Sequence, residues 1–409
     1  MTGQKIKKPT RLTTNNWEIS IAKNIDQIEA IRPIWEKMQK SEISPKPNAD
    51  IDRYISTITS TEQKIEPYVI LLHNNNQPQA MLIGRIENIQ MSCRLGYKTL
   101  INPSIRSIVV VYGGIMGQPD EDVSVLLIRE LMKLLRQREV EVIFFNHLRT
   151  DSVFYHQVRK IPNILCRTIF PLIEPHWQTR LPDSKDAFFT GTRRRYLKRY
   201  MKELKETCGE PIEIVCYNSP QDIPRILSEA SAISRLTYKF AMGAGFKDDL
   251  RTRSILELAA HQHRLRAYVL YAQHKPVAFE FGIEYGRVFF PEHIGYEPHL
   301  RLCSPGTILF LKVLEDLMEN TTLRIFDYGF GDAVYKERFG TDFWPEGSVH
   351  IVAPRLYPIL LNLALTSTSA ASGALNYLVT KAGVYNWVKR HWRALLRKRA
   401  APADNQEVN

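Results

Sequence analysis

Phe326-Asp327-Tyr328-Gly329-Phe330-Gly331-Asp332-Ala333-Val334-Tyr335-Lys336-Glu337-Arg338-Phe339-Gly340 decides how the rest of the chain is read. The run Leu323 to Phe326 leading into it is apolar and of strand length. It breaks into a turn with two glycines and two aspartates, then into a short segment carrying Tyr335, Lys336 and Arg338. A buried strand that delivers ionisable groups through a glycine-punctuated turn is a common way to build a reaction site. Glycine lets the backbone bend sharply and a ligand come close. The same spacing also fits a plain strand-to-helix turn with an aspartate cap.

Upstream, Arg266 to Tyr271 reads as a strand, His274-Lys275-Pro276 as a turn and Val277 to Ile283 as a second strand. Tyr285-Gly286-Arg287 turns into a third, Val288 to Phe290. After the loop Arg301-Leu302-Cys303-Ser304-Pro305-Gly306, apolar residues at Ile308, Leu311, Leu314, Leu317 and Met318 predict a helix over Thr307 to Met318. This order, with its Ser304-Pro305-Gly306 helix start and its Gly331-Asp332-Ala333-Val334-Tyr335-Lys336, resembles the C-terminal half of the GNAT acyltransferase fold. It resembles more closely the FemAB-like and CelD-like acyltransferases of bacterial envelope and exopolysaccharide pathways. The resemblance spans about residues 185–350.

The 409 residues leave room for two domains and extensions, and 44% apolar with 24% charged residues describes a globular chain. Five scattered cysteines fall at no metal-ligand spacing and suit a reducing cytoplasm. His261 and His263, two apart on a predicted helix, face different ways, so no metal is expected. Met1 to Arg11 is basic without an apolar core, unlike a secretory signal. The expected location is therefore cytoplasmic. A formal net charge of +12 favours anionic partners.

The first half repeats the order of the second. Strands are predicted at Trp17–Ala22, Tyr68–His73, Ala80–Arg85, Ser107–Tyr112 and Val140–Phe145. Helices are predicted at Ile25–Met38 and Val123–Arg138, with a loop at Gly113 to Gly117. The expected class is α/β: a basic N-terminal extension (1–14), two tandem GNAT-like units (15–180 and 181–355) and a helical basic tail (356–409). A basic helix near Thr192 to Lys205, apolar at Tyr196, Leu197, Tyr200, Met201 and Leu204, joins the units. Its basic face is either solvated or turned to phosphate. In the tail, Leu356 to Thr380 carries no charge, but Pro358, Asn362, Gly373 and Thr366 to Ser369 interrupt it, poor material for a membrane span. Val384, Trp387, Val388, Trp392, Leu395 and Leu396 recur at helical spacing beside Lys389, Arg390, Arg393, Arg397, Lys398 and Arg399. Residues 384–399 suit an anionic membrane surface at the inner face of the membrane, or packing on the body.

The resemblance implies acyl-CoA as co-substrate, acetyl-CoA foremost. Its pyrophosphate needs free backbone donors, as at a helix N-terminus. Arg301, Ser304, Pro305, Gly306 and Thr307 are the expected donor-binding residues, Pro305 suiting a helix start and Gly306 admitting a phosphate. The matching helix of the first unit opens with Asp120, Glu121 and Asp122, which repel phosphate. That unit is expected to be a degenerate copy shaping the acceptor cleft. Tyr335 follows the last core strand, where the resembled enzymes often place a tyrosine, and is the expected proton donor. Lys336 would neutralise a phosphate or an oxyanion. Asp327 and Asp332 would position these groups or act as base, or else serve as turn caps. Glu280, between Phe279 and Phe281, must be paired or lie at the open face of the sheet. Glu292 and His293 follow the strand expected to carry the acyl group. His293 is a candidate base, or a surface histidine.

The leading expectation is acyl transfer from acyl-CoA to an amine or hydroxyl of a sugar, nucleotide-sugar or lipid-linked envelope precursor, the acceptor class being what the resemblance implies. One alternative takes aminoacyl-tRNA as donor, as FemAB-like peptide-bridge enzymes do. The basic helix fits that, though such proteins usually insert a long helical arm there. Another is a non-catalytic membrane-surface component of a polysaccharide synthesis complex.

Overall fold

The computed structural model describes residues 10–14, 17–96, 98–237, 240 and 245–381. The stretch 384–399 lies outside them. The first compact unit comprises Met1–His176, Phe330–Asp332 and Trp344–Lys381; the described part of the second comprises Trp177–Gly329 and Ala333–Phe343.

Strands are numbered along the chain: β1 Thr10–Thr14, β2 Trp17–Ala22, β3 Glu66–Asn74, β4 Gln77–Gln90, β5 Cys93–Leu95, β6 Lys98–Ile101, β7 Ser104–Met116, β8 Val142–Arg149, β9 Ile173–Arg180, β10 Ile212–Tyr217, β11 Leu265–Ala272, β12 Lys275–Tyr285, β13 Val288–Tyr296, β14 Ile325–Phe330 and β15 Asp342–Val352. The sheet of the first unit runs β1-β2-β3-β4-β7-β8-β15, and that of the second runs β9-β14-β13-β12-β11-β10. Each unit has a parallel pair, β7 with β8 and β13 with β14, joined through a long helix. The two units thus repeat one plan of strand, helices, antiparallel meander, helix and parallel strand.

Both faces of each sheet are covered, which explains the near-continuous apolar strands. In β3, Ile70 and Leu72 enter the core under the helix Glu121–Arg136, while Val69 and Leu71 enter the opposite core with Trp35 and Tyr54. In the second unit, Ile308, Leu311, Leu314 and Leu317 of the helix Pro305–Asn320 pack on one face with Tyr268 and Leu270 of β11. Ala267 and Val269 pack on the other with Phe279 and Phe281 of β12. The basic helix Gly191–Cys208 joins the first of these cores through Leu204, Leu197, Tyr200 and Met201.

Three sequence expectations are corrected. The helix over Ile25–Met38 is two helices, Ile25–Ala30 and Arg32–Ser41, because Pro33 has no N–H to continue the ladder and Ile31 leaves the helical region at φ −98°, ψ 1°. Gly113 to Gly117 is not a loop up to Met116: β7 runs through it. Strands β1, β5, β6, β9, β10 and β15 were not anticipated. The tail begins as the helix Leu356–Lys381, and among the described residues no helix is long and apolar enough to cross a membrane.

Candidate active site

In the second unit, β13 and β14 are paired for only two rungs, Val288 with Ile325 and Phe289 with Phe326. Beyond them β13 continues to Tyr296 and β14 to Phe330, so the parallel strands part. The pairing of β12 with β13 shifts register between Phe281 and Gly282, which leaves Glu292 as the extra residue of a bulge and bends β13 at the same place. Backbone polar groups between strands that part need partners, and an extended ligand can supply them.

The helix Pro305–Asn320 begins past β13. Ser304 sits in the left-handed region at φ 52° and offers no side-chain cap; its carbonyl takes the N–H groups of Thr307 and Ile308. With Pro305 at the first position and no acid in the first turn, this N-terminus keeps its partial positive charge. The first unit's helix Glu121–Arg136 is the opposite. Asp120 accepts from the Val123 N–H at 2.9 Å, and Glu121 and Asp122 fill the first turn. A Cβ at Gly306 would lie 3.1 Å from Tyr296 Cδ1, so this glycine makes room for the tyrosine ring. Arg301 is exposed just ahead of the helix.

Glu280 lies mid-strand in β12 and is 4% exposed; burial alone pushes its carboxyl up to about 8. Its cross-strand partners are Tyr268 and Ile294. Tyr335, in the short helix Val334–Phe339, is raised to about 12, first by burial and then by the charge of Glu280. Tyr328 of β14 is raised too, with burial first and Tyr335 and Glu280 among the causes. Glu280, Tyr328 and Tyr335 are therefore electrostatic neighbours inside the second unit. Thr179 holds this group. Its hydroxyl donates to the Phe339 carbonyl at 2.6 Å, so at 2.8 Å from the Tyr328 hydroxyl it can only accept.

The other expected residues divide. Asp327 is buried, with Oδ1 accepting from the Gly329 N–H at 2.8 Å and Oδ2 from Gln178 Nε2 at 2.9 Å. It caps the turn. Lys336 is buried with Nζ 3.3 Å from the Gly329 carbonyl. Asp332 is exposed and belongs to the first compact unit. His293 pairs with Phe281, the neighbour of Glu280, so it faces the opposite side of the sheet, where its ring meets Phe246 edge-on at 5.0 Å. Glu280, opposite Tyr268, therefore lies on the sheet face whose core Tyr335 packs against, and His293 lies on the other face.

The first unit carries a polar cluster that sequence reasoning missed. Glu346 of β15, buried, accepts from Trp344 Nε1 at 2.8 Å and from the Tyr112 hydroxyl at 3.2 Å, and its other oxygen is 3.2 Å from His176 Nδ1. His176 is fully buried and stacks on Trp344 with ring centres 4.5 Å apart. His147 sits at φ 49° with a buried Nδ1 that has no partner. Burial first, and then His176, push it down to about 4 against the pull of Glu346, so it is a neutral imidazole. The buried stem of Lys46 crosses Gly113, where a Cβ would lie 2.6 Å from Lys46 Cβ. Its Nζ is 5.5 Å from the Tyr112 ring centre. These residues come from five separate stretches of chain and share no spacing. The glycine at φ +74° beside Tyr112 was the one local signal. Among the described residues, no group of His, Cys, Asp or Glu could hold a metal ion.

No curated protein matches the chain. Among solved structures it is similar to FemX at 8% identity over 81% of this chain and 97% of that chain, with a TM-score of 0.53. It is also similar to a tandem GNAT protein from the clavulanic acid biosynthesis pathway (10% identity, 83% and 99% covered, TM-score 0.47) and to L-PGS from Bacillus licheniformis (14%, 80% and 99%, TM-score 0.43). At 8% identity the likeness to FemX is one of fold. Residues 191–337 match the family described as Acetyltransferase (GNAT) domain, a span that holds the parting strands, the uncapped helix, Glu280 and Tyr335.

Proposed function

We propose that the second unit transfers an acyl group from acyl-CoA to an amine or hydroxyl. The observation that carries this reading is the buried carboxyl of Glu280 on the sheet face whose core the partly buried Tyr335 packs against, in the unit that also has an uncapped helix start. The amide of Gly306 at the uncapped helix start, with Arg301 beside it, suits a pyrophosphate. The edges of the parted strands β13 and β14 suit the extended pantetheine arm. The acceptor's nitrogen or oxygen attacks the thioester carbonyl and gives its proton to the Glu280 carboxylate. The carbon–sulfur bond then breaks, and Tyr335 supplies the proton taken up by the leaving thiolate. A base that titrates near 8 is matched to this work.

A sugar or envelope precursor is the proposed acceptor class. That class is what the sequence resemblance implies. A tRNA-bound donor draws less support. On the helix Gly191–Cys208, Arg194, Arg199, Lys202 and Lys205 are each within 4 Å of a carboxylate, which neutralises much of the expected basic face. Thermal melting of the full chain with acetyl-CoA, longer acyl-CoAs and tRNA is the test. A CoA thioester should raise the melting temperature, and the rise should be lost in Arg301→Glu. Stabilisation by tRNA and by no CoA thioester would overturn the reading.

A further inference from the structure

Three segments of the first unit pack together: the ribbon β5–β6, the turn Ile164–Cys166 and the helix Leu356–Lys381. Ser372 Oγ donates to the Arg94 carbonyl at 3.0 Å and accepts from the Gly96 N–H at 2.9 Å. Asn362 Nδ2 donates to the carbonyls of Leu165 at 3.0 Å and Arg167 at 2.8 Å. Leu361 and Leu365 pack inward with Met91 and Cys93. Outside this seam the same segments turn large apolar side chains to solvent. Leu100 is 50% exposed, Leu356 76% and Tyr377 67%, with Ile101, Ile164 and Leu360 also more than half exposed. Ten of the 23 large apolar side chains that are exposed among the described residues lie in these three segments. Such concentration is not the ordinary scatter of a surface.

The charge of these segments is one-sided. Residues 93–101, 164–166 and 356–381 contain Arg94, Lys98 and Lys381 and no Asp or Glu. The chain then continues for 28 residues past Lys381 with two tryptophans and six further Lys or Arg before its first acid, Asp404. An apolar face whose own segments carry cations and no carboxylate fits the boundary between acyl chains and acidic headgroups.

We propose that this face docks the protein on an anionic lipid surface, with the helix Leu356–Lys381 lying along the interface beside the β5–β6 ribbon. The proposal extends beyond the transferase reading and does not depend on it. The apolar side chains supply the insertion, and Arg94, Lys98 and Lys381 supply the lipid selectivity.

The test is co-sedimentation of the full chain with phosphatidylcholine vesicles, with and without about a third phosphatidylglycerol. The wild type should sediment with the acidic vesicles, weakly with the neutral ones, and less as salt rises. Leu100→Asp with Ile101→Asp should abolish binding. Arg94→Glu with Lys98→Glu, which changes only exposed side chains, should weaken it about tenfold or more. Both variants should keep the wild-type melting temperature. Binding unchanged in both variants would overturn the proposal. So would a wild type that ignores acidic vesicles and instead forms a dimer that Leu100→Asp with Ile101→Asp dissolves, since the face would then serve a second copy of the chain.

Discussion

Replacing Glu280 by Gln keeps the shape of the side chain and removes its charge. The carboxyl is raised from 4.5 to about 8 by burial, a gap worth ~5 kcal/mol at ~1.4 kcal/mol per unit. Below pH 4.5 the folded and unfolded states both hold the proton, and the wild type is at its best relative to Glu280→Gln. As pH rises, the unfolded chain releases the proton first. The folded wild type therefore loses ~1.4 kcal/mol per unit until the native carboxyl itself ionises near 8, where the loss levels off. The Gln variant has no such loss. Urea denaturation of both proteins from about pH 5 to about pH 9 measures the difference directly. The variant should gain on the wild type steadily up to about pH 8 and no further above it, while its acyl transfer falls about a hundredfold or more, the usual size of a lost general base. A stability difference that stays flat with pH would refute the reasoning, because Glu280 would then be ionised in the folded protein.

Tyr335→Phe should lower turnover by at least about tenfold with little change in acyl-CoA affinity, read by steady-state rates beside calorimetric titration. Asp327→Ala should cost about 1–3 kcal/mol in urea denaturation, since it leaves the Gly329 N–H and Gln178 without their acceptor, while the rate per folded molecule stays near normal. Glu346→Ala should cost about 3–5 kcal/mol by the same measurement, because it strands Tyr112, Trp344 and His176 in the first unit. His147, depressed to about 4, contributes stability that is present above pH 6.5 and lost as pH falls through 4; His147→Asn should melt with a weaker dependence on pH across that window.

The strands that read clearly were those whose apolar runs feed two cores, such as β3 with Val69 to Leu72 and β11 with Leu265 to Ala272. The helix at Pro305 was legible from its own proline and its periodic leucines. Strands β9 and β15 were not. One carries Pro175 and a buried His176 where an alternating pattern wants an apolar residue; the other carries Pro345, a buried Glu346 and Gly347. Their polar positions are stable only because partners arrive from far along the chain, and local spacing holds no trace of that. The same holds for the Tyr112–His176–Glu346 cluster they build. Glu280 was visible as an oddity between two phenylalanines, but its nearness to Tyr335 required the register of β12 and the placing of the helix that follows β14. His293 was misleading for the same reason: adjacent registers on a strand pair face opposite sides.

The placing of β15 in the first unit sets an order of events during synthesis. Strand β8 needs β15 as its antiparallel partner, with Val142 opposite Val352 and Phe145 opposite Val349. At about 5–20 residues per second, the ribosome delivers that partner roughly 10–40 s after β8 has emerged. Throughout that interval β8 is an open edge, able to recruit strands from other nascent chains. The described strands of the second unit, from β9 through β14, are all available by residue 330. The later half of the sequence therefore closes first, and the earlier half waits for the tail to seal it.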